Sequence, residues 1–319
     1  MISPNLVKDL SALLGAENVF TSEADRQCYS YDSAVLPPKV PALVLRPTQT
    51  EQIGEVVRLC YEAGLAITVR GAGSNLSGGT VPDTVDSAVI LTNSLQKILE
   101  INTEDLYAVV QPGVVTAQFA AAVEAKGLFY PPDPGSMSVS TLAGNIAENA
   151  GGLRGLKYGV TKDYVMGLEF YDYEGNLVKT GSRTVKCVTG FNLAGLMVGS
   201  EGTMGVISKA ILKLVPPPRA SRAITAEFAD VQDAADAVAA MIAAHVVPCT
   251  LELLDQATLK YVEADQKIGL PVDAAAMLLI EVDGHPGQVA DEAAIVEEVL
   301  KKCNATGIHL PKDNCFYYS

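Results

Sequence analysis

What most constrains this chain is a strand–helix–strand pattern that runs without a break into a glycine-rich loop. Residues 42–46 (Ala-Leu-Val-Leu-Arg) are an apolar run of strand length, closed by Pro47. Thr48 and Glu51 have capping-box spacing, with Thr50 as an alternative N-cap. Ile53, Val56, Val57 and Cys60 then recur at i, i+3, i+4 and i+7, one apolar face of a helix. Gly64 fits the left-handed position past that helix. A second strand, 66–69, leads directly into Arg70-Gly71-Ala72-Gly73-Ser74-Asn75-Leu76-Ser77-Gly78-Gly79. Glycine permits positive φ and close approach of backbone to a ligand. Successive amides of such a loop form a concave anion site, and Ser74, Asn75 and Ser77 add side-chain donors. No Lys follows the last Gly, which excludes a Walker A loop, and no apolar helix follows, which excludes the dinucleotide GxGxxG arrangement. By itself the loop reads either as a phosphate cradle or as a plain glycine-rich turn.

Three further segments are marked by glycine. Pro131-Pro132-Asp133-Pro134-Gly135-Ser136 is a proline-fixed turn. It leads to Ser140-Thr141-Leu142-Ala143-Gly144-Asn145-Ile146-Ala147-Glu148-Asn149-Ala150-Gly151-Gly152, a short segment with few bulky side chains. Asn145 and Asn149 are four apart and can share one face. This segment reads as backbone laid against something flat and large, or as a helix tightly packed on a sheet. Lys157-Tyr158-Gly159 follows, and then Gly199-Ser200-Glu201-Gly202-Thr203-Met204-Gly205-Val206-Ile207 at the entry to a strand. Glu201 is a solvated turn residue or an acceptor for a ligand. All four segments precede residue 210, and together they point to one extended ligand held mostly by backbone.

The remaining pattern gives the organisation. Residues 88–91, 108–110, 164–171, 177–180 and 205–215 read as strands, with a turn at 174–176 and a helix over 116–126 ended by Gly127. Pro216-Pro217-Pro218 stiffens the chain and is the best boundary. Beyond it the pattern is helix 230–244, strand 250–254, helix 256–261, strand 276–282 and helix 287–302. The expected class is α+β, in two domains, 1–218 and 219–319, the first subdivided near 80–100. A length of 319 residues, too long for one compact core of common size, fits two domains.

Charge and cysteine usage exclude other classes. With 23 Lys and Arg against 37 Asp and Glu, the net charge of −14 disfavours nucleic acid and anionic membranes. No run reaches the roughly 20 apolar residues of a membrane span, and residues 1–15 lack a signal-peptide pattern, so a cytoplasmic enzyme is expected. The six cysteines (Cys28, Cys60, Cys187, Cys249, Cys303, Cys315) are at least 12 positions apart, and the three histidines are scattered. Pro248 separates His245 from Cys249. Free thiols and no metal site are expected.

These motifs, in this order from about residue 20 to 215, resemble the FAD-linked oxidases and dehydrogenases of the vanillyl-alcohol oxidase / p-cresol methylhydroxylase type. Within them the chain is most similar to the glycolate oxidase flavin subunit and D-lactate dehydrogenase group. Leu251-Glu252-Leu253-Leu254-Asp255 and Ile280-Glu281-Val282-Asp283-Gly284 resemble the start of that family's cap domain. The resemblance implies a two-lobed FAD-binding domain followed by an incomplete α+β cap. It places the pyrophosphate on residues 71–75, the flavin along 133–152 and 158–159, and Glu201, Gly205, Val206 and Ile207 at the completion of the site. It implies hydride transfer from the α-carbon of a D-2-hydroxy acid, glycolate or D-lactate, to the flavin. Electrons then pass to an acceptor protein or other subunits, through which the chain can be membrane-associated. The alternatives are a non-catalytic FAD-binding or electron-transfer subunit, and an enzyme of this fold acting on another alcohol. Many relatives hold FAD covalently through a histidine near the first loop. Here Ser74 and Asn75 stand in that loop and all three histidines lie at 245 or later, so non-covalent FAD is expected. Residues 304–319 depart from the family pattern and read as an atypical tail, with His309 unpartnered. The family's histidine motifs are not seen, so the chain reads as truncated, with exposed apolar cap surface and no residue assigned as the catalytic base.

Overall fold

The computed structural model describes residues 2–310. Two compact units emerge: residues up to 151 together with 160–216, and residues 152–159 together with those from 217 on. In chain order the first unit contains α1 (Pro4–Leu14), β1 (Val19–Phe20), α2 (Glu23–Gln27), β2 (Leu43–Leu45), α3 (Gln52–Glu62), β3 (Ala66–Arg70), β4 (Ser87–Leu91), β5 (Ile98–Asn102), β6 (Tyr107–Val110), α4 (Thr116–Glu124) and α5 (Leu142–Glu148). The next helix, α6 (Gly155–Tyr158), belongs to the second unit. The first is completed by β7 (Val165–Tyr171), β8 (Leu177–Gly181), α7 (Leu193–Met197) and β9 (Val206–Lys213).

The first sheet has the order β1-β2-β4-β3, with β2 and β3 both parallel to β4 and β1 antiparallel on β2. The strand–helix–strand pattern is therefore a crossover with one strand inserted between its ends. Leu6, Leu10, Ile53, Val56, Val57 and Cys60 from α1 and α3 cover one face, while Val44, Val89 and Leu91 pack on the other with Phe20 and Tyr29. Burial on both faces explains why these strands read as unbroken apolar runs rather than alternation. Neither proposed cap starts α3: Glu51 is the N-cap and its side chain bonds no helix amide. Gln52 Oε1 instead accepts from the amides of Thr48 at 2.9 Å and Gln49 at 3.0 Å, because its longer side chain reaches back across the turn.

The second sheet, β5-β6-β9-β7-β8, is antiparallel throughout. Its core packs Phe119 and Val123 of α4, Leu142 and Ile146 of α5, and Ala194 and Met197 of α7 against Val110, Leu168, Ile207 and Leu212. The β7–β8 hairpin turns where Asp172 Oδ1 accepts the amides of Glu174 and Asn176.

The second unit contains β10 (Ala220–Phe228), α8 (Val231–Ala243), β11 (Thr250–Asp255), α9 (Gln256–Gln266), β12 (Ala276–Gly284), α10 (Pro286–Lys302) and β13 (Gly307–His309). All pairings in its sheet, β11-β12-β10-β13, are antiparallel. The core sets Ala237 and Met241 of α8 and Val296 and Leu300 of α10 against Ile224, Phe228 and Ile280. Two expectations change here. A strand over 220–228 was not anticipated, because Ser221, Arg222, Thr225 and Glu227 dilute its apolar face, yet it is central and pairs along nine residues of β12. Part of the supposed tail is also structural: Gly307, Ile308 and His309 pair with β10, and His309 Nε2 lies 2.9 Å from Glu227 Oε1. Residues 311–319, Cys315 among them, lie outside the described residues. Cys60 and Cys249 are buried, and burial pushes the Cys60 thiol up to about 12.

Candidate cofactor site

Three stretches of the first unit meet around a cavity of about 490 Å³, within the range of about 300–1,000 Å³ usual for ligand and cofactor sites. They are the loop after β3, the approach to α5 with the helix itself, and the turn before β9.

The loop after β3 is tied from beneath. The Arg70 guanidinium is buried, donates from Nη1 to the Tyr31 carbonyl at 2.6 Å and to Thr80 Oγ1 at 3.3 Å, and lies over the Tyr29 ring. Burial lowers its pKa, against the opposing pull of Asp32. Gly73 has φ +72°, and a Cβ there would lie 2.3 Å from Arg70 Nη2, so the loop passes directly over the guanidinium. Asn75 Oδ1 accepts the amides of Gly78 at 2.8 Å and Gly79 at 3.0 Å, and Asp32 holds Thr80. Among the described residues, the amides from Ala72 to Ser77 donate to no protein acceptor. The same six residues line the cavity.

The opposite wall starts at Thr141, whose Oγ1 accepts the Gly144 amide at 3.3 Å and caps α5. A Cβ on Gly71 would lie 2.3 Å from that same oxygen, so a glycine is what lets loop and helix approach. The third wall hangs on the end of α5: the Gly199 amide donates to the Ile146 carbonyl at 3.0 Å and the Glu201 amide to the Ala147 carbonyl at 2.9 Å. Glu201 is a non-glycine residue at φ +50°. Ser200 Oγ is buried, lines the cavity and has no partner among the described residues.

Of the sequence-derived candidates, Gly71, Ala72, Gly73, Ser74, Asn75, Ser77, Ser136, Thr141, Gly144, Asn145, Gly151, Glu201, Gly205 and Ile207 line the cavity. Others are placed differently, for local reasons. Arg70 and Gly78 support the loop from behind it. Val206 points into the first-sheet core, because strand alternation sends it opposite to Gly205 and Ile207. Asn145 and Asn149 do not share a face: Asn145 Nδ2 donates to Thr116 Oγ1 at 2.8 Å, whereas Asn149 is the left-handed cap of α5 and its Oδ1 accepts the Lys162 amide at 3.0 Å. Pro132 and Asp133 lead into the turn that begins at Gly135 and delivers Ser136 and Ser140, and none of the three lines the cavity. Gly152, Tyr158 and Gly159 fold with the second unit. Thr92 lines the cavity from outside every segment marked in the sequence, and Ser140, Glu148 and Ser200 line it from within those segments without having been singled out. For Glu148 a signal existed, since it is four residues after Gly144 and shares its helix face.

Asp283, buried on β12, is what holds Tyr158 in the second unit. It accepts from Lys157 Nζ at 2.5 Å and from the Tyr158 hydroxyl at 2.6 Å. Burial first, and Asp283 second, raise the pKa of Tyr158. Asp283→Asn is expected to cost about 2 kcal/mol in urea unfolding, because it leaves the Lys157 ammonium without its counter-charge. A loss below about 0.5 kcal/mol would show that water already screens the pair.

Comparison with known proteins agrees with this geometry. Residues 41–181 match the family described as FAD binding domain, and residues 217–313 the one described as FAD linked oxidases, C-terminal domain. That second match runs well past Cys303, into the segment read as departing from the family. The chain is 46% identical over 308 residues to "Glycolate oxidase subunit GlcD" of Bacillus subtilis, covering 97% of this chain and 65% of the relative. It is 29% identical over 318 residues to "D-lactate dehydrogenase" of Anaerostipes hadrus, covering 96% and 66%. It thus spans about two thirds of the length of these relatives. A crystal structure of p-cresol methylhydroxylase with substrate bound shares the fold, with a TM-score of 0.79 at 21% identity, covering 96% of this chain and 65% of that one. With an FAD-binding first unit, a matching C-terminal domain and a glycine-walled cavity of cofactor size, the chain belongs to the FAD-linked oxidase family.

Proposed function

We propose that this chain carries non-covalently bound FAD and takes part in the oxidation of a D-2-hydroxy acid, glycolate or D-lactate, passing the electrons to a separate acceptor. The observation that carries the reading is the row of uncommitted amides from Ala72 to Ser77, in residues that line a cavity walled also by Gly71, Gly144 and Gly205. Amides so arranged bind a diphosphate without a cationic side chain, and glycine walls admit a flat ring system. The residues present therefore fit FAD. When bound, FAD supplies the hydride-accepting chemistry, and the protein supplies position and electrostatics. Ser200 Oγ, buried and without a partner among the described residues, would help to hold FAD, and Thr141 fixes the start of α5 beside the loop. The substrate class rests on the names of the relatives above. No His, Cys or Tyr lines the cavity among the described residues, which supports a non-covalent cofactor. No helix among them is long and apolar enough to cross a membrane.

The test is reconstitution of the purified chain with FAD and removal of the excess by desalting. A retained visible flavin band that moves wholly to the supernatant on acid precipitation is expected. Anaerobic glycolate or D-lactate should bleach that band, and L-lactate should not. No retained band rejects the reading. Retention without bleaching assigns the chain to a non-catalytic FAD-binding or electron-transfer role instead.

A further inference from the structure

The cavity has an unexpected charge for a guest that brings two negative phosphates. Its only ionisable lining side chains are Glu148 and Glu201, and no Lys, Arg or His lines it among the described residues. Arg70 is committed to Tyr31 and Thr80 below the loop. The two carboxylates converge on Gly79: a Cβ there would lie 2.9 Å from Glu148 Oε1 and 3.6 Å from Glu201 Oε2. Glu148 Oε2 accepts the Ser77 hydroxyl at 3.0 Å. The groups that act on Glu148 are therefore Ser77 from the loop, Glu201 from the turn before β9, and Asp32 from the segment that holds Thr80. No cation is among them. Burial, Glu201 and Asp32 raise its pKa, and the Ser77 hydrogen bond opposes them.

We propose that Glu148 enters the cofactor complex as the neutral acid, so that cofactor binding takes up one proton at this side chain. The inference rests on the FAD reading above. The diphosphate of FAD does not titrate near neutrality, so the proton comes from solvent and ends on a Glu148 carboxyl oxygen. The protonated carboxyl donates a hydrogen bond where the carboxylate only accepts. It also removes one of two negative charges that would face the phosphates across a partly desolvated cleft, where repulsion is weakly screened. The sign follows from linkage. An entering anion raises the pH at which Glu148 releases its proton. Between the free and bound values, binding takes up a proton and affinity falls as pH rises, by about tenfold per unit at the steepest. Outside that window the slope vanishes.

The experiment is calorimetric titration of FAD into the full chain near neutral pH, in buffers of different ionisation heat, repeated from mildly acid to mildly alkaline pH. The wild-type heat is expected to depend on the buffer, with an uptake approaching one proton. Glu148→Gln should bind with buffer-independent heat and a flat pH profile. Ser77→Ala removes the hydroxyl that favours the charged form, and should move the midpoint of the affinity profile to higher pH while leaving Glu148 in place. Buffer-independent heat in a wild-type chain that binds FAD overturns the proposal. So does full proton uptake by Glu148→Gln, or an unmoved midpoint in Ser77→Ala. A wild-type chain that gives no binding heat at any pH, and retains no flavin, rejects the FAD reading itself, which is a different result.

Discussion

Gly71→Val is expected to bind FAD at least about 100-fold more weakly than the parent chain, a loss of roughly 2.7 kcal/mol. Gly71 stands where β3 gives way to the loop, and a Cβ there meets Thr141 Oγ1 at 2.3 Å. Thr141 has a short, branched side chain that is buried and caps α5, so it cannot simply swing aside. Rotating it gives up the bond to the Gly144 amide, worth about 1 kcal/mol. The valine methyls then occupy space in the cavity at the amide row. Isothermal titration or quenching of flavin fluorescence measures the effect. Gly64→Ala is the matched control, since a Cβ at Gly64 meets no atom within 4 Å, and its left-handed φ of +68° costs stability rather than binding. A Gly71→Val chain that binds FAD within threefold of the parent would remove residue 71 from the cofactor wall.

Phe119→Ala is expected to lower the stability of the first unit by about 3–5 kcal/mol. Phe119 is fully buried on α4, with its ring centroid 5.0 Å from that of Tyr130 in an edge-on pair. Leu142 and Ile146 of α5 share its cluster, so the hole opens under the helix that carries Glu148. Tyr130 adds a particular cost. Its hydroxyl is buried without a partner among the described residues, and its ring stands edge-on to both Phe119 and Tyr164. Losing Phe119 removes one side of that packing. Phe119→Leu keeps most of the volume and should cost about half as much. Urea unfolding followed by tyrosine fluorescence measures both, and a Phe119→Ala loss under about 1 kcal/mol would mean that the site collapses around the smaller residue.

The contrast between these positions shows where local sequence is informative. Helix α3 was legible because Ile53, Val56, Val57 and Cys60 repeat with the helical period, and that period survives whatever the helix packs on. The glycine-rich loop was legible because Gly73, at φ +72°, occupies a backbone state that favours glycine. Strand β10 was not legible. Its residues 220–228 alternate weakly, and its place at the centre of a sheet comes from pairing with β12 and β13, whose partner residues lie about fifty positions away or more. The start of α3 was misread for a related reason: a Gln52 side chain folding back on Thr48 and Gln49 takes the Thr48 amide that the capping box assigns to Glu51, and the Gln49 amide in addition.

By itself the sequence determined most of the α+β elements and the small-residue walls, because each depends on torsional preference or on spacing within a few positions. Only the tertiary structure decided which of those walls face one another. Ser77 meets Glu148 across 71 residues and Lys157 meets Asp283 across 126. The first contact puts an acid that the sequence did not single out into the cofactor cavity, and the second takes Tyr158 out of the first unit. The physical reason is the same in both. A hydrogen bond or a charge pair has no periodicity along the chain, and its partner is fixed only when distant backbones are brought within about 3 Å.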